Sequence, residues 1–186
     1  MTRYIANLFQ LCFITASLLY PFILYFYTDL ESIGLVMAVF WCINILRATD
    51  TQQRIIAACI TLFFVAITIL HAQFLTFLYP VFINLLLFIT FLFSLKEEAI
   101  ITRFARMRAA NLSEKAILYT RKLTVLWCYF FFMNGCIAGI LAFVTDKRFW
   151  TFYCGILSYI LIGIFLLSEI IYRKYILQIK ENGCEA

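Results

Sequence analysis

The stretch from residue 55 to residue 95, IIAACITLFFVAITILHAQFLTFLYPVFINLLLFITFLFSL, decides the class of this protein because it contains no formally charged side chain. One helix needs about 20 predominantly apolar residues to cross a bilayer, and this stretch is about twice that long. It therefore predicts two transmembrane helices. The break between them falls around His71, Gln73 and Tyr79-Pro80. Pro80 suits the first turn of the second helix, where its missing N–H would have no partner in any case.

The composition extends this interpretation to the whole chain. Hydrophobic residues make up 65% of 186 residues and charged residues 13%, whereas soluble domains are about half apolar and a quarter charged. We expect one transmembrane domain over residues 1–186. The alternation of apolar runs and polar joints predicts six spans, at about 8–27, 32–46, 55–71, 77–95, 123–145 and 149–170.

The basic residues predict the orientation of these spans. If the N terminus is inside, all of the fifteen Lys and Arg residues except Lys147 and Arg148 fall on the cytoplasmic side. Because basic loops are retained in the cytoplasm, both termini are predicted to be cytoplasmic. The predicted fold is an all-α, polytopic membrane helix bundle.

The joint at 96–122 is the only predicted loop large enough to have its own structure. Ile100, Phe104 and Met107 recur in it at helical spacing, and two arginines lie off that stripe. A basic helix with an apolar stripe is typical of a membrane surface, so we expect an interfacial helix between spans four and five. The alternative is a solvated loop that only fixes topology. The candidate surface for lipid headgroups or a cytosolic partner consists of Arg103, Phe104, Arg106 and Arg108.

A second helix is predicted to begin after this joint and to continue into span five. Ser113 is a suitable N-cap, because its hydroxyl can accept a hydrogen bond from a free N–H of the first turn. Glu114 follows it, at the positive end of the helix dipole.

Three polar residues in the predicted spans are candidates for a role inside the membrane. Asn84 and Asn134 can hydrogen-bond between helices. Glu169 ends span six, one turn before Arg173, in the order that favours an ion pair. The alternative role for Glu169 is that of a proton-coupling carboxylate.

No chemistry of catalysis or metal binding is indicated. The chain has one histidine, and its seven cysteines are scattered without a CxxC pair, so neither a zinc site nor a redox dithiol is predicted. We expect no catalytic, cofactor-binding or metal residues and no enzymatic activity. The basic residues lie in separate joints, which favours anionic lipid over nucleic acid as their partner.

A set of spaced motifs covers about residues 78–174. The motifs are Tyr79-Pro80, Asn84, Ser94-Leu95, Arg103, Arg106, Tyr119-Thr120-Arg121-Lys122, Thr124, Trp127, Phe131-Phe132, Asn134-Gly135, Trp150, Gly155, Glu169 and Tyr172-Arg173. Together they resemble the small uncharacterised membrane proteins encoded in bacterial aryl-polyene (xanthomonadin-like) biosynthesis clusters and, more distantly, the intracellular septation protein A family of inner-membrane proteins. Both resemblances imply a multi-pass protein of the bacterial inner membrane, and the first implies a neighbourhood of fatty-acid-synthase-like enzymes.

Two functions are open at this point. The first is a non-enzymatic membrane protein that anchors or organises cytosolic acyl or polyene biosynthetic enzymes, or an envelope assembly. The second is a transporter or carrier of an apolar, lipid-like product. Membrane lipids are expected partners in both, and a homo-oligomer is left open.

Overall fold

The computed structural model describes residues 21, 23, 26, 30–48, 51–70, 73–107 and 113–171. Those residues form helices and short connections, and none of them lies in a β-strand. The predicted first span is almost wholly outside the described residues, as are His71, Arg108 and Arg173. The helices are α1 (Leu30–Arg47), α2 (Thr51–Leu70), α3 (Gln73–Phe77), α4 (Tyr79–Ser94), α5 (Ile100–Arg106), α6 (Glu114–Phe143) and α7 (Lys147–Ile171).

The described helices belong to two compact units. Helices α1 to α6 lie in one unit, Tyr27–Thr145, whereas α7 lies in the other, which comprises Met1–Phe26 and Asp146–Ala186. Within the first unit, α1 packs along α2, α4 packs along α6, and α5 contacts α6.

The α1–α2 pair packs closely at a glycine. A Cβ atom on Gly34 would lie 3.2 Å from the Thr68 hydroxyl oxygen, which is closer than ordinary van der Waals contact. The Thr68 hydroxyl donates to the carbonyl of Phe64, 3.0 Å away on its own helix. Gly34 therefore allows the two helices to approach without leaving that hydroxyl unsatisfied.

Helix α4 begins where the sequence predicts, with Pro80 in its first turn. It has 16 residues, which at 1.5 Å per residue is about 24 Å. The hydrocarbon core of a bilayer is about 30 Å thick. Helix α4, which corresponds to the predicted span at 77–95, is therefore too short by itself to cross the full hydrocarbon core.

Helix α6 confirms the predicted start at Ser113. The Ser113 hydroxyl accepts a hydrogen bond from the Ala116 N–H at 3.3 Å, and Glu114 lies in the first turn. The helix then continues without a break for 30 residues to Phe143. Predicted span five is thus the C-terminal part of a longer helix whose first two turns belong to the basic joint.

Helix α7 begins one residue after Asp146, whose carboxylate accepts a hydrogen bond from the Arg148 N–H at 3.0 Å. It contains one wide, π-helical turn at Tyr153–Leu157. Its length of 25 residues and mean hydropathy of 2.2 are those of a membrane-spanning helix.

Three helices are long and apolar enough to cross a membrane: Thr51–Leu70, Glu114–Phe143 and Lys147–Ile171. Large apolar side chains on all three are exposed, among them Leu62, Ile140 and Leu167 at 60% or more. Water would make that exposure costly, but hydrocarbon does not. The described part of the chain is thus all-helical and has helices long and apolar enough for a bilayer. The count of six spans stays a prediction.

Candidate functional site

The two predicted asparagines meet across the α4–α6 interface. The Asn134 side-chain amide donates to the Asn84 side-chain oxygen at 3.0 Å, and the Asn84 amide donates to the carbonyl of Pro80 at 2.8 Å. Both residues are buried. Such a pair between membrane helices contributes roughly 0.6 kcal/mol on average. The Asn84–Asn134 pair joins the two helices, and each side-chain amide donates to an oxygen atom of the protein.

Glycines of α6 let the two backbones approach beside this pair. A Cβ atom on Gly135 would lie 3.2 Å from the Cβ atom of Asn84, and one on Gly139 would lie 3.6 Å from a methyl group of Val81. Two glycines four residues apart form the small-xxx-small pattern of close membrane helix contacts. The sequence carries that pattern, but our sequence interpretation did not use it.

An aromatic cluster fills the α4–α6 interface toward the basic joint. The Phe91 ring lies 5.1 Å from the Phe131 ring in an edge-on contact, and the Trp127 ring lies 5.4 Å from the Phe131 ring. Such ring pairs contribute about 0.5–1.5 kcal/mol beyond their burial. The polar pair and this cluster together hold α4 against α6.

Side chains also fix the turn that connects α4 to α5. The Ser94 hydroxyl donates to the Phe91 carbonyl at 2.7 Å and accepts from the Ile100 N–H at 3.1 Å, so it ends one helix and begins the next. Arg121 of α6 donates to the Leu95 carbonyl at 2.7 Å. The charge assists that bond and holds the turn beside α6.

Helix α5 is bound to α6 through two buried threonines. The Thr102 and Thr120 hydroxyl oxygens lie 2.7 Å apart in a hydrogen bond. Thr120 also bonds to the Ala116 and Ile117 carbonyls of its own helix, at 3.0 Å each. The N-terminal part of the basic joint is therefore docked on α6, a helix long and apolar enough to cross a membrane. This pair could not be predicted from the sequence, because no pattern links two threonines that are 18 positions apart.

The candidate surface residues of α5 fall into two groups: the arginines contact Glu98, and the apolar side chain of Phe104 is exposed. Arg103 donates through Nε to the Glu98 carbonyl at 3.1 Å, and Arg106 forms an ion pair with the Glu98 carboxylate. Phe104 is 58% and Met107 81% exposed. Two residues of the apolar stripe, Phe104 and Met107, are thus exposed, whereas Ile100 is half-buried. Both arginines bond to Glu98.

The third polar candidate, Glu169, and a further asparagine in a predicted span, Asn44, are not brought to this site by any described contact. Asn44 donates to the Phe40 carbonyl of its own helix at 3.0 Å. Glu169 is half-buried near the end of α7, in the other unit. Its predicted partner Arg173 lies outside the described residues, so their ion pair stays a prediction.

Two cavities flank the turn between α4 and α5. One, of about 520 Å³, is lined by charges of both signs, among them Glu98, Arg106 and Arg121. The other, of about 420 Å³, has isoleucine and phenylalanine walls and two cations, Lys96 and Arg103. Among the described residues, no three His, Cys, Asp or Glu side chains are grouped so that they could hold a metal ion.

Comparison of the chain with protein-family models, curated proteins and solved structures gives no match.

Proposed function

We propose that this chain is a multi-pass protein of the bacterial inner membrane that anchors a cytosolic assembly and performs no catalysis of its own. The observation that supports this best is the docking of α5 on α6. The Thr102–Thr120 bond, the Ser94 cap and the Arg121 bond hold a short basic helix in one position beside a long apolar helix. A helix fixed in this way at the end of a bundle is a suitable platform for a partner.

The partner class is the one that the family resemblance implies, namely acyl- or polyene-chain-building enzymes. The predicted cytoplasmic location of the joint gives such enzymes access to it. A carrier of an apolar product is less well supported, because Asn84 and Asn134 bond to each other in a tightly packed interface. Neither asparagine lines a described cavity through which an apolar product could pass.

Capture of these enzymes by the full-length protein tests the proposal. We expect Arg103→Glu with Arg106→Glu to reduce capture by more than about tenfold, since like charges at an interface cost several kcal/mol. Asn134→Leu should leave capture unchanged. The measurement is mass-spectrometric quantification of the co-purified enzymes. A carrier would give the reverse: loss of function on Asn134 replacement and indifference to the arginine changes.

A charge exchange separates partner binding from the folding of α5. Arg106→Glu alone also breaks the ion pair with Glu98, whereas Glu98→Arg with Arg106→Glu restores an ion pair and keeps the net charge. That pair is about half exposed, so it contributes little stability. If the exchange restores capture fully, Arg106 acts only within α5, and the proposed partner surface does not include it.

The six-span threading predicts the side on which each joint lies. A reporter enzyme fused after Met107 or Lys180 should be cytoplasmic, and one fused near Glu31 or Lys147 should be exported, because the basic joints are retained inside. Paired reporters that are active on opposite sides of the membrane measure this directly. A Met107 fusion that is active only outside the cytoplasm would overturn the threading.

A further inference from the structure

Helices α2 and α4 touch at one end and separate at the other. Near their connection, the Phe63 and Phe82 rings stack with centroids 4.4 Å apart, and the Phe64 and Tyr79 rings lie 5.0 Å apart. At the opposite ends, where α2 begins and α4 finishes, a cleft of about 420 Å³ lies between them. Its volume is within the range of about 300–1,000 Å³ found for ligand pockets.

The cleft is open to the surroundings, and its walls are mainly apolar, with Gln52, Thr90 and Ser94 as neutral polar members. Ile55 and Ile56 line it from α2, and Ile89 and Phe93 line it from α4. Ile55 and Phe93 are more than half exposed. The stretch 55–95 carries no charge, so in a membrane-spanning chain the apolar part of the cleft would face the hydrocarbon of the bilayer. Its walls fit an acyl chain.

Two cationic side chains, Lys96 and Arg103, lie at one end of the cleft, just after the uncharged stretch ends at Leu95. Lys96 is the first charged residue after Arg54, and its ammonium lies over the Phe93 ring, 4.5 Å from the centroid. Arg103 comes from α5, where its Nε bond to the Glu98 carbonyl fixes the guanidinium. Glu97 is the one carboxylate in the lining, so the net charge there is positive.

We propose that this cleft is a binding site for one anionic phospholipid, with an acyl chain between α2 and α4 and its phosphate at Lys96 and Arg103. The terminal guanidinium nitrogens of Arg103 make no hydrogen bond within the described part of the chain, so they are available to a phosphate. Basic pockets between membrane helices at the cytoplasmic side are suited to anionic headgroups. The neighbouring cavity is less suitable, since its arginines already bond to Glu98 and Leu95.

This site shares Arg103 with the proposed anchoring surface, but the cleft between α2 and α4 and Lys96 belong to the lipid site alone. Ile89→Trp is expected to close the cleft without altering the charge of α5. Enzyme capture should therefore survive that change, and failure of one proposal leaves the other standing.

Native mass spectrometry of the full-length protein in detergent tests the site, with dioleoyl phosphatidylglycerol as the probe. We expect one saturable lipid per chain. Lys96→Gln and Arg103→Gln should each weaken binding roughly fivefold, which is the effect of one cation beside an anionic headgroup. Ile89→Trp should abolish saturable binding by filling the apolar part. Leu126→Trp, at an exposed position on α6 outside the cleft, is its size-matched control.

The charge-matched control is Lys122→Gln, since that lysine is exposed, directly precedes span five and lies outside the cleft. That variant should bind like the wild type. Equal weakening by the control and by Lys96→Gln would mean general attraction to anionic lipid and would overturn the site. Equal binding of dioleoyl phosphatidylcholine would exclude a site for an anionic headgroup. Saturation by oleate without saturation by phosphatidylglycerol would show a fatty-acid site and exclude the phospholipid.

Discussion

Replacing Gly135 with leucine is expected to lower the stability of the helix bundle by about 3 kcal/mol, the upper end of the usual cost of overpacking. Even a single Cβ atom there would lie 3.2 Å from the Asn84 Cβ, so a leucine must push α4 away from α6. Separation would also break the Asn134–Asn84 hydrogen bond. In thermal unfolding of the detergent-solubilised protein, this corresponds to a fall of about 6–12 °C in Tm for a chain of this size.

Two other glycines serve as controls. A Cβ atom on Gly163 would meet nothing within 4 Å, and one on Gly139 would be in ordinary contact with Val81. Since replacing glycine in a helix interior is intrinsically favourable by roughly 1 kcal/mol, Gly163→Leu and Gly139→Ala should be neutral or stabilising. If Gly135→Leu and Gly163→Leu unfold at the same temperature, the close approach of α4 and α6 at Gly135 is wrong.

The second large effect is expected at Phe104 on α5. If Phe104 lies in the membrane interface, Phe104→Glu places a carboxylate among headgroups that are themselves anionic. The loss of a buried aromatic ring alone corresponds to about 1.5–3 kcal/mol. We therefore expect trypsin to cut the joint in inverted vesicles at least about tenfold faster, with the spans still inserted.

Phe104→Leu keeps an apolar side chain at the same position and should be cut at the wild-type rate. Thr102→Val tests the other attachment of α5, since it removes the hydroxyl that bonds to Thr120 while retaining the volume. If wild type and Phe104→Glu are cut equally fast, the apolar stripe is not in the interface. The joint is then attached to the protein alone, and the anchoring proposal loses its membrane contact.

Features that depend on neighbouring residues in the chain could be predicted from sequence. Pro80 opens α4 and Ser113 caps α6, because a missing N–H and a hydroxyl act on the turn in which they stand. The uncharged stretch at 55–95 also separates into two helices near the predicted break, with the short α3 between them.

Features that depend on which helices are neighbours could not be predicted. Most of these helices are apolar on all sides, so no hydrophobic stripe marks the face that packs. The sequence placed Asn84 and Asn134 in spans, but only the pairing of α4 with α6 brings them together. The Thr102–Thr120 bond has the same origin. The glycine pair at Gly135 and Gly139 was a usable signal for that pairing, because small residues four apart mark close contacts.

The continuity of α6 has a mechanical consequence. Its 30 residues form a rod about 45 Å long, against a hydrocarbon thickness of about 30 Å. The Asn84–Asn134 pair attaches α4 to the C-terminal half of this helix. The Thr102–Thr120 pair attaches α5 to it near its N-terminal end. Membrane helices that are longer than the hydrocarbon core adapt to a change in bilayer thickness by tilting. If α6 crosses a bilayer, a tilt of α6 therefore moves α5 with it, and the position of α5 would then depend on the thickness of the membrane.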